Sequence, residues 1–225
     1  MSFRVLGLLA ASFAAACNAS PPQVERPAAQ RRFSLGYISG GGAPAEGVEV
    51  TVYGESDLST PVGRGRTDAS GFAAVVLEPP DGNFVSHARG DGYVDSWYLA
   101  HEVVRVQWRN IPVLTRTATQ RFLDGLGATW TPGTCIVGTR VGDATGRAKA
   151  LVAHTDHGGR PYYAMDEDDR FDPEATSSNR GVAFVVGIEP GTATLSLESE
   201  GATGARTFEC PPDAMVFFEV GLEKA

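Results

Sequence analysis

Thr67-Asp68-Ala69-Ser70-Gly71-Phe72-Ala73-Ala74-Val75 is the stretch that decides the fold. A polar turn ends at Gly71, where a positive φ costs little, and the apolar run Phe72 to Leu77 follows at once. That run is apolar on both parities, as a strand inside a sandwich core should be. Glu78-Pro79-Pro80-Asp81-Gly82 then reverses the chain. The scheme returns 110 residues on (177 − 67) as Ser177-Ser178-Asn179-Arg180-Gly181-Val182-Ala183-Phe184-Val185, closed by Glu189-Pro190-Gly191. That interval suits tandem sandwich modules and is too long for a solenoid repeat.

Working outward, Val48, Val50 and Val52 alternate with Glu49, Thr51 and Tyr53, a period of two that gives a strand one buried face. Phe84 to Ala88, Tyr93 to Leu99 and Val103 to Trp108 follow at regular spacing. Short, evenly spaced strands with Gly and Pro turns predict an all-β sandwich or barrel. One helix is expected, within Thr115 to Trp130, capped by Thr115 or Thr117, with Phe122, Leu123 and Leu126 on its apolar face and Gly127 at its end.

The Gly-Val-x-Val-x-Val strand, the Thr-Asp-x-x-Gly-Phe turn and the Pro-x-Gly reversal together resemble the carboxypeptidase regulatory-like family. The resemblance implies seven-stranded transthyretin-like or prealbumin-like (Ig-like) β-sandwiches in two tandem copies, and it is silent about function. The expected organisation is a signal peptide over 1–16, a tether over 17–32, a first sandwich over 33–114, a helical connector over 115–132 and a second sandwich over 133–225. The second copy departs from the pattern at Arg147 and Lys149, beside expected core positions, and in an insertion from His157 to Ala175.

The N-terminus points to export. Arg4 precedes an apolar or small-residue run, Val5 to Ala16, too short to span a bilayer as a helix. Cys17 follows Ala14-Ala15-Ala16, and the run resembles a bacterial lipobox in which that cysteine is diacylated, although Ala14 stands where Leu is usual. A plain signal peptide or a buried helix is the competing reading. Asn18 is not the Asp of inner-membrane retention, so the outer membrane is expected through the lipid anchor. Pro21 to Gln30 reads as a flexible tether. With Cys17 lipidated, Cys135 and Cys210 remain as an even pair, which in an oxidising compartment suits a disulfide.

A net charge of −8 and a pI near 5.0 speak against nucleic-acid partners. Catalytic motifs fail on spacing. His101-Glu102 has Arg105 where H-E-x-x-H needs its second His, and Gly54-Glu55-Ser56-Asp57 lacks the closing Gly of a nucleophile elbow. His154, His157, Tyr162 and Tyr163 match the ferric ligand inventory of intradiol dioxygenases, but residues three apart, like adjacent ones, face opposite sides of a strand. The acidic run Asp166 to Glu174 has calcium-type ligands without EF-hand spacing, so a solvated loop is expected. Arg89-Gly90-Asp91 reads as a turn. No cofactor and no metal are expected. The resulting expectation is a non-catalytic exported lipoprotein serving as a spacer or binding an envelope protein. The alternative is a carbohydrate-binding module, in which Trp97 and Trp108 would stack on polysaccharide.

Overall fold

The computed structural model describes residues 31–38, 43–77, 83–99, 111–143, 146–147, 150–164 and 171–224. Cys17, tether residues 17–30, His101-Glu102, Trp108, the first reversal at 78–82 and most of the acidic run lie outside these residues, while Arg31 and Arg32, expected in the tether, pair with β-strand residues Leu77 and Val76. The first half carries β1 (Arg31–Ile38), β2 (Glu49–Gly54), β3 (Asp57–Arg66), β4 (Phe72–Leu77), β5 (Phe84–Arg89), β6 (Asp95–Leu99) and β7 (Ile111–Pro112). After α1 (Arg116–Leu126) come β8 (Cys135–Asp143), β9 (Gly146–Arg147), β10 (Val152–Thr155), β11 (Arg160–Ala164) and β12 (Phe171–Asp172). The chain closes with β13 (Val182–Ile188), β14 (Gly191–Ser199), β15 (Ala202–Cys210), β16 (Ala214–Val220) and β17 (Glu223–Lys224). The fold is a β-sandwich with a single helix among the described residues.

Three sheets form it. A small sheet β4-β1-β7 and another, β10-β14-β15-β17, flank a long one ordered β12-β11-β13-β8-β16-β6-β5-β2-β3. The pairing senses repeat between the halves. β4 is antiparallel and β7 parallel to β1; likewise β13 is antiparallel and β16 parallel to β8. The series β2-β5-β6 and β10-β14-β15 are both antiparallel throughout. The expected organisation keeps the halves as separate modules joined by a helix. Instead β6 and β16 pair in parallel, Asp95 opposite Ala214 through Leu99 opposite Phe218, so one sheet runs through both halves.

The two small sheets cover opposite faces of that sheet. Val50 and Val52, with Val48 beside them, pack against Ala73, Val75 and Leu77 of the first small sheet. From the other side, Val137, Val185, Val216 and Phe218 meet Ala153, Leu195, Leu197 and Phe208. The helix lies on the first of these faces over the second half, where Leu123 and Leu126 cover Ile136, Val186, Met215 and Phe217. Its boundaries follow the sequence signals: the Thr115 hydroxyl accepts from the Ala118 amide at 3.0 Å, and Gly127 closes it at φ 62°.

One strand differs from expectation. The run Phe72 to Leu77 buries only Ala73, Val75 and Leu77, while Phe72 and Val76 remain 39% and 43% exposed. No described element covers the outer face of the first small sheet, so the apolar pattern there does not correspond to burial.

Candidate functional site

The repeated turn is built the same way twice. The Asp68 carboxylate accepts from the amides of Ser70 at 2.8 Å and Phe72 at 3.1 Å. The Ser178 hydroxyl accepts from those of Arg180 at 3.0 Å and Val182 at 3.3 Å. Gly71 and Gly181 complete the turns at φ 76° and 66°. Ser178 is also fully buried and donates to the Ala164 carbonyl at 2.6 Å.

Cys135 opens β8 and Cys210 closes β15, and they form a disulfide with their Cα atoms 5.8 Å apart. The bridge ties the long sheet to the second small sheet inside the core. Pro211 and Pro212 follow directly, ending the strand because proline cannot continue a ladder.

The joint between the halves has a polar lock beside its strand pairing. The Glu55 carboxylate, in the β2–β3 turn, accepts from Arg206 Nη2 at 2.8 Å and from Asn83 Nδ2 at 2.8 Å. Arg206 is 8% exposed and lies over the Phe218 ring. Burial pushes its guanidinium down from its ordinary value, and Glu55 opposes that shift.

Next to this lock, β2, β5 and β6 present Tyr53, His87 and Trp97 on one face. His87 and Trp97 stack with centroids 4.0 Å apart and planes 8° from parallel, and Tyr53 stacks at 6.0 Å. His87 Nε2 also meets the Asp95 carboxylate at 3.2 Å. Burial lowers the His87 pKa, with Asp95 acting in the opposite direction. One face of the Trp97 indole is therefore occupied by His87, which leaves less of it for a sugar than the sequence reading assumes.

On the opposite face, a groove of about 850 Å³ lies between the helix and the β7 end, lined by Tyr98, Phe122, Phe184 and Phe217 with Arg140 and Glu219 at its rim. Burial raises the Tyr98 pKa.

The candidate iron ligands do not converge. Tyr162 packs in the cluster under the helix, whereas Tyr163 faces the disulfide side and accepts from the Ala153 amide at 3.1 Å. His154 is exposed on β10, and His157 sits in the following turn with Asp156 at 2.9 Å. No cluster of metal-ligating side chains occurs among the described residues. Asp172 accepts from the Glu174 amide at 2.9 Å, and the Tyr93 amide donates to the Gly90 carbonyl at 3.0 Å, so the chain turns at 172–174 and at 90–93. No helix among the described residues is long and apolar enough to cross a membrane.

No protein-family model matches this chain, and no curated protein does. Solved structures overlap it loosely. The TIE protein of Bacillus anthracis is 13% identical at a TM-score of 0.30, covering 86% of this chain and 34% of its own length. For the minor pilin of Streptococcus agalactiae the values are 12% and 0.27, covering 87% and 96%. For a shaft pilin of Lactobacillus rhamnosus GG they are 10% and 0.28, covering 87% and 99%. The fold rests here on strand pairing and side-chain contacts, not on overlaps this loose.

Proposed function

We propose that this chain is a non-catalytic scaffold of the cell envelope, exported and held at the outer membrane by a lipid on Cys17. Its body consists of two sandwich modules of the carboxypeptidase regulatory-like kind, and it serves as a spacer or as a docking surface for an envelope protein. The observation that supports this reading is the parallel pairing of β6 with β16. Two modules on a peptide linker swivel; two modules sharing a ladder and the Arg206–Glu55 lock transmit position and force as one body. Carbohydrate stacking is the weaker reading, since Trp97 already has His87 against one ring face.

Membrane fractionation tests the anchor. Wild-type chain should sediment with membranes, and mass spectrometry should find Cys17 as an acylated first residue. The Cys17→Ser variant should become soluble. A mature chain beginning elsewhere, with a free amine, ends the lipoprotein reading.

A further inference from the structure

The strand pair β1–β4 matches β8–β13 in register. Phe33 stands opposite Val75 as Val137 stands opposite Val185. The pairs Arg32–Val76, Ser34–Ala74 and Gly36–Phe72 therefore hold the places of Ile136–Val186, Gly138–Phe184 and Arg140–Val182. Residues directly opposed on antiparallel strands share a face. In the second half α1 covers this face, with Leu123 and Leu126 over Ile136 and Val186. In the first half the same face carries Phe72 at 39% and Val76 at 43% exposure, with exposed Ala74 between them.

The segments that lead into the two sheets also differ. In the second half α1 ends at Leu126, just ahead of β8 at Cys135. In the first half β1 opens at Arg31, 14 residues after Cys17 (31 − 17). Even fully extended, 14 residues span at most about 50 Å, so a lipid on Cys17 holds the start of β1 within that distance of a membrane. Charge points the same way. The three first-half pairs bring one arginine and no carboxylate to this face, in a chain of net charge −8. An anionic lipid surface repels the rest of such a protein and admits this face, where apolar side chains reach the acyl boundary and an arginine meets headgroup phosphates.

We propose that the outer face of β1 and β4 lies on the lipid surface of the anchoring membrane, which takes the place that α1 takes in the second half. The proposal rests on the lipid-anchor reading and adds an orientation to it. The first small sheet faces the membrane; the second, on the opposite side of the long sheet, faces away and stays free to meet a partner.

A nitroxide on Ala74→Cys tests this in the mature chain, reconstituted in vesicles of phosphatidylethanolamine and phosphatidylglycerol. In the acylated chain its collisions with a water-soluble nickel chelate should fall about fivefold below those in the Cys17→Ser chain free in solution. The same label at Val152→Cys, a position 42% exposed on the second small sheet, should stay open. Phe72→Asp should reopen position 74, and Phe72→Leu should leave it shielded. Three results overturn the proposal while the anchor stands: an acylated chain with position 74 open, equal shielding at 74 and 152, or shielding indifferent to Phe72→Asp. Mass spectrometry of Cys17 reads the anchor separately, and a free cysteine there removes the anchor and the proposal with it. Shielding that rises with concentration in the Cys17→Ser chain without vesicles would make a second copy the occupant and would also overturn the proposal.

Discussion

The strand after each repeated turn has the same character, FAAVVL in β4 and VAFVVGI in β13, yet the two lead different lives. β13 is covered on both faces, by the helix side and by the disulfide core, whereas β4 leaves Phe72 and Val76 in contact with solvent. The same contrast holds for the sheets. In the second half the sheet β13-β8-β16 continues through β6 into the first half; in the first half, among the described residues, β4-β1-β7 ends at a two-residue strand containing Pro112. Apolarity on both parities is permission for two-sided burial. Whether burial occurs depends on what the rest of the chain lays on top.

Breaking the disulfide should have the largest effect. The bridge closes a separation of 75 residues, worth about 4 kcal/mol in the chain-entropy model. Treated as independent, the first half would not notice its loss. The shared ladder makes a different expectation: in a Cys135→Ala/Cys210→Ala variant, amides of β6 should lose protection together with those of β8 and β16, while β4 keeps its own. Hydrogen exchange residue by residue reads this, and an unchanged β6 would show that the parallel pairing carries no coupling.

The lock beside the ladder comes next. Glu55→Ala leaves a nearly buried Arg206 without its carboxylate and should cost about 2 kcal/mol, reduced from the fully buried case because Glu55 is itself 38% exposed. Arg206→Met, which removes the charge and keeps the stem, should cost less. Urea melts of both variants check the order, and reversal of that order would mean that the stem packing matters more than the charge.

Much of this was legible in the sequence, for physical reasons that differ from element to element. The turns closed by Gly71 and Gly181, the helix with Thr115 and Gly127 at its ends, and the Cys135–Cys210 pair all rest on local chemistry or cysteine count, and all appear in the structure. The fused sheet was missed. Its one signal is β16, Ala-Met-Val-Phe-Phe-Glu-Val, apolar on both parities and buried at all positions but Glu219. A strand with that pattern needs neighbours on both edges and cover on both faces, which marks a central strand. The aromatic face of Tyr53, His87 and Trp97 was half seen. The sequence pairs Trp97 with Trp108 and not with Tyr53 and His87, because stacking partners on adjacent strands are set by register, not by sequence proximity.

The paired turns allow a finer comparison. Ser178→Ala removes two acceptor bonds to amides and one donor bond to a carbonyl at a fully buried site, at a cost of about 2 kcal/mol. Asp68→Ala removes two bonds at an exposed turn, where water replaces them, and should cost under about 1 kcal/mol. Thermal melts distinguish the two. Equal losses would mean that the turns serve the backbone alone and that burial of Ser178 adds nothing.

The smallest effect is a dependence on pH from His87. Its ring lies against Trp97 with its side chain 12% exposed, and burial favours the neutral form, so the folded-state pKa falls below the ordinary value of 6.5. The unfolded chain then binds the proton more readily than the folded one. Stability from this group is complete above the unfolded value and is lost as pH falls below 6.5 toward the folded pKa. Asp95 limits the loss, because its carboxylate favours the protonated ring. In urea melts between pH 7.5 and 5, the wild type should therefore weaken more steeply than His87→Gln, whose side chain does not titrate. A parallel pair of curves would assign the acid sensitivity to other groups and leave the His87–Trp97 stack indifferent to protonation.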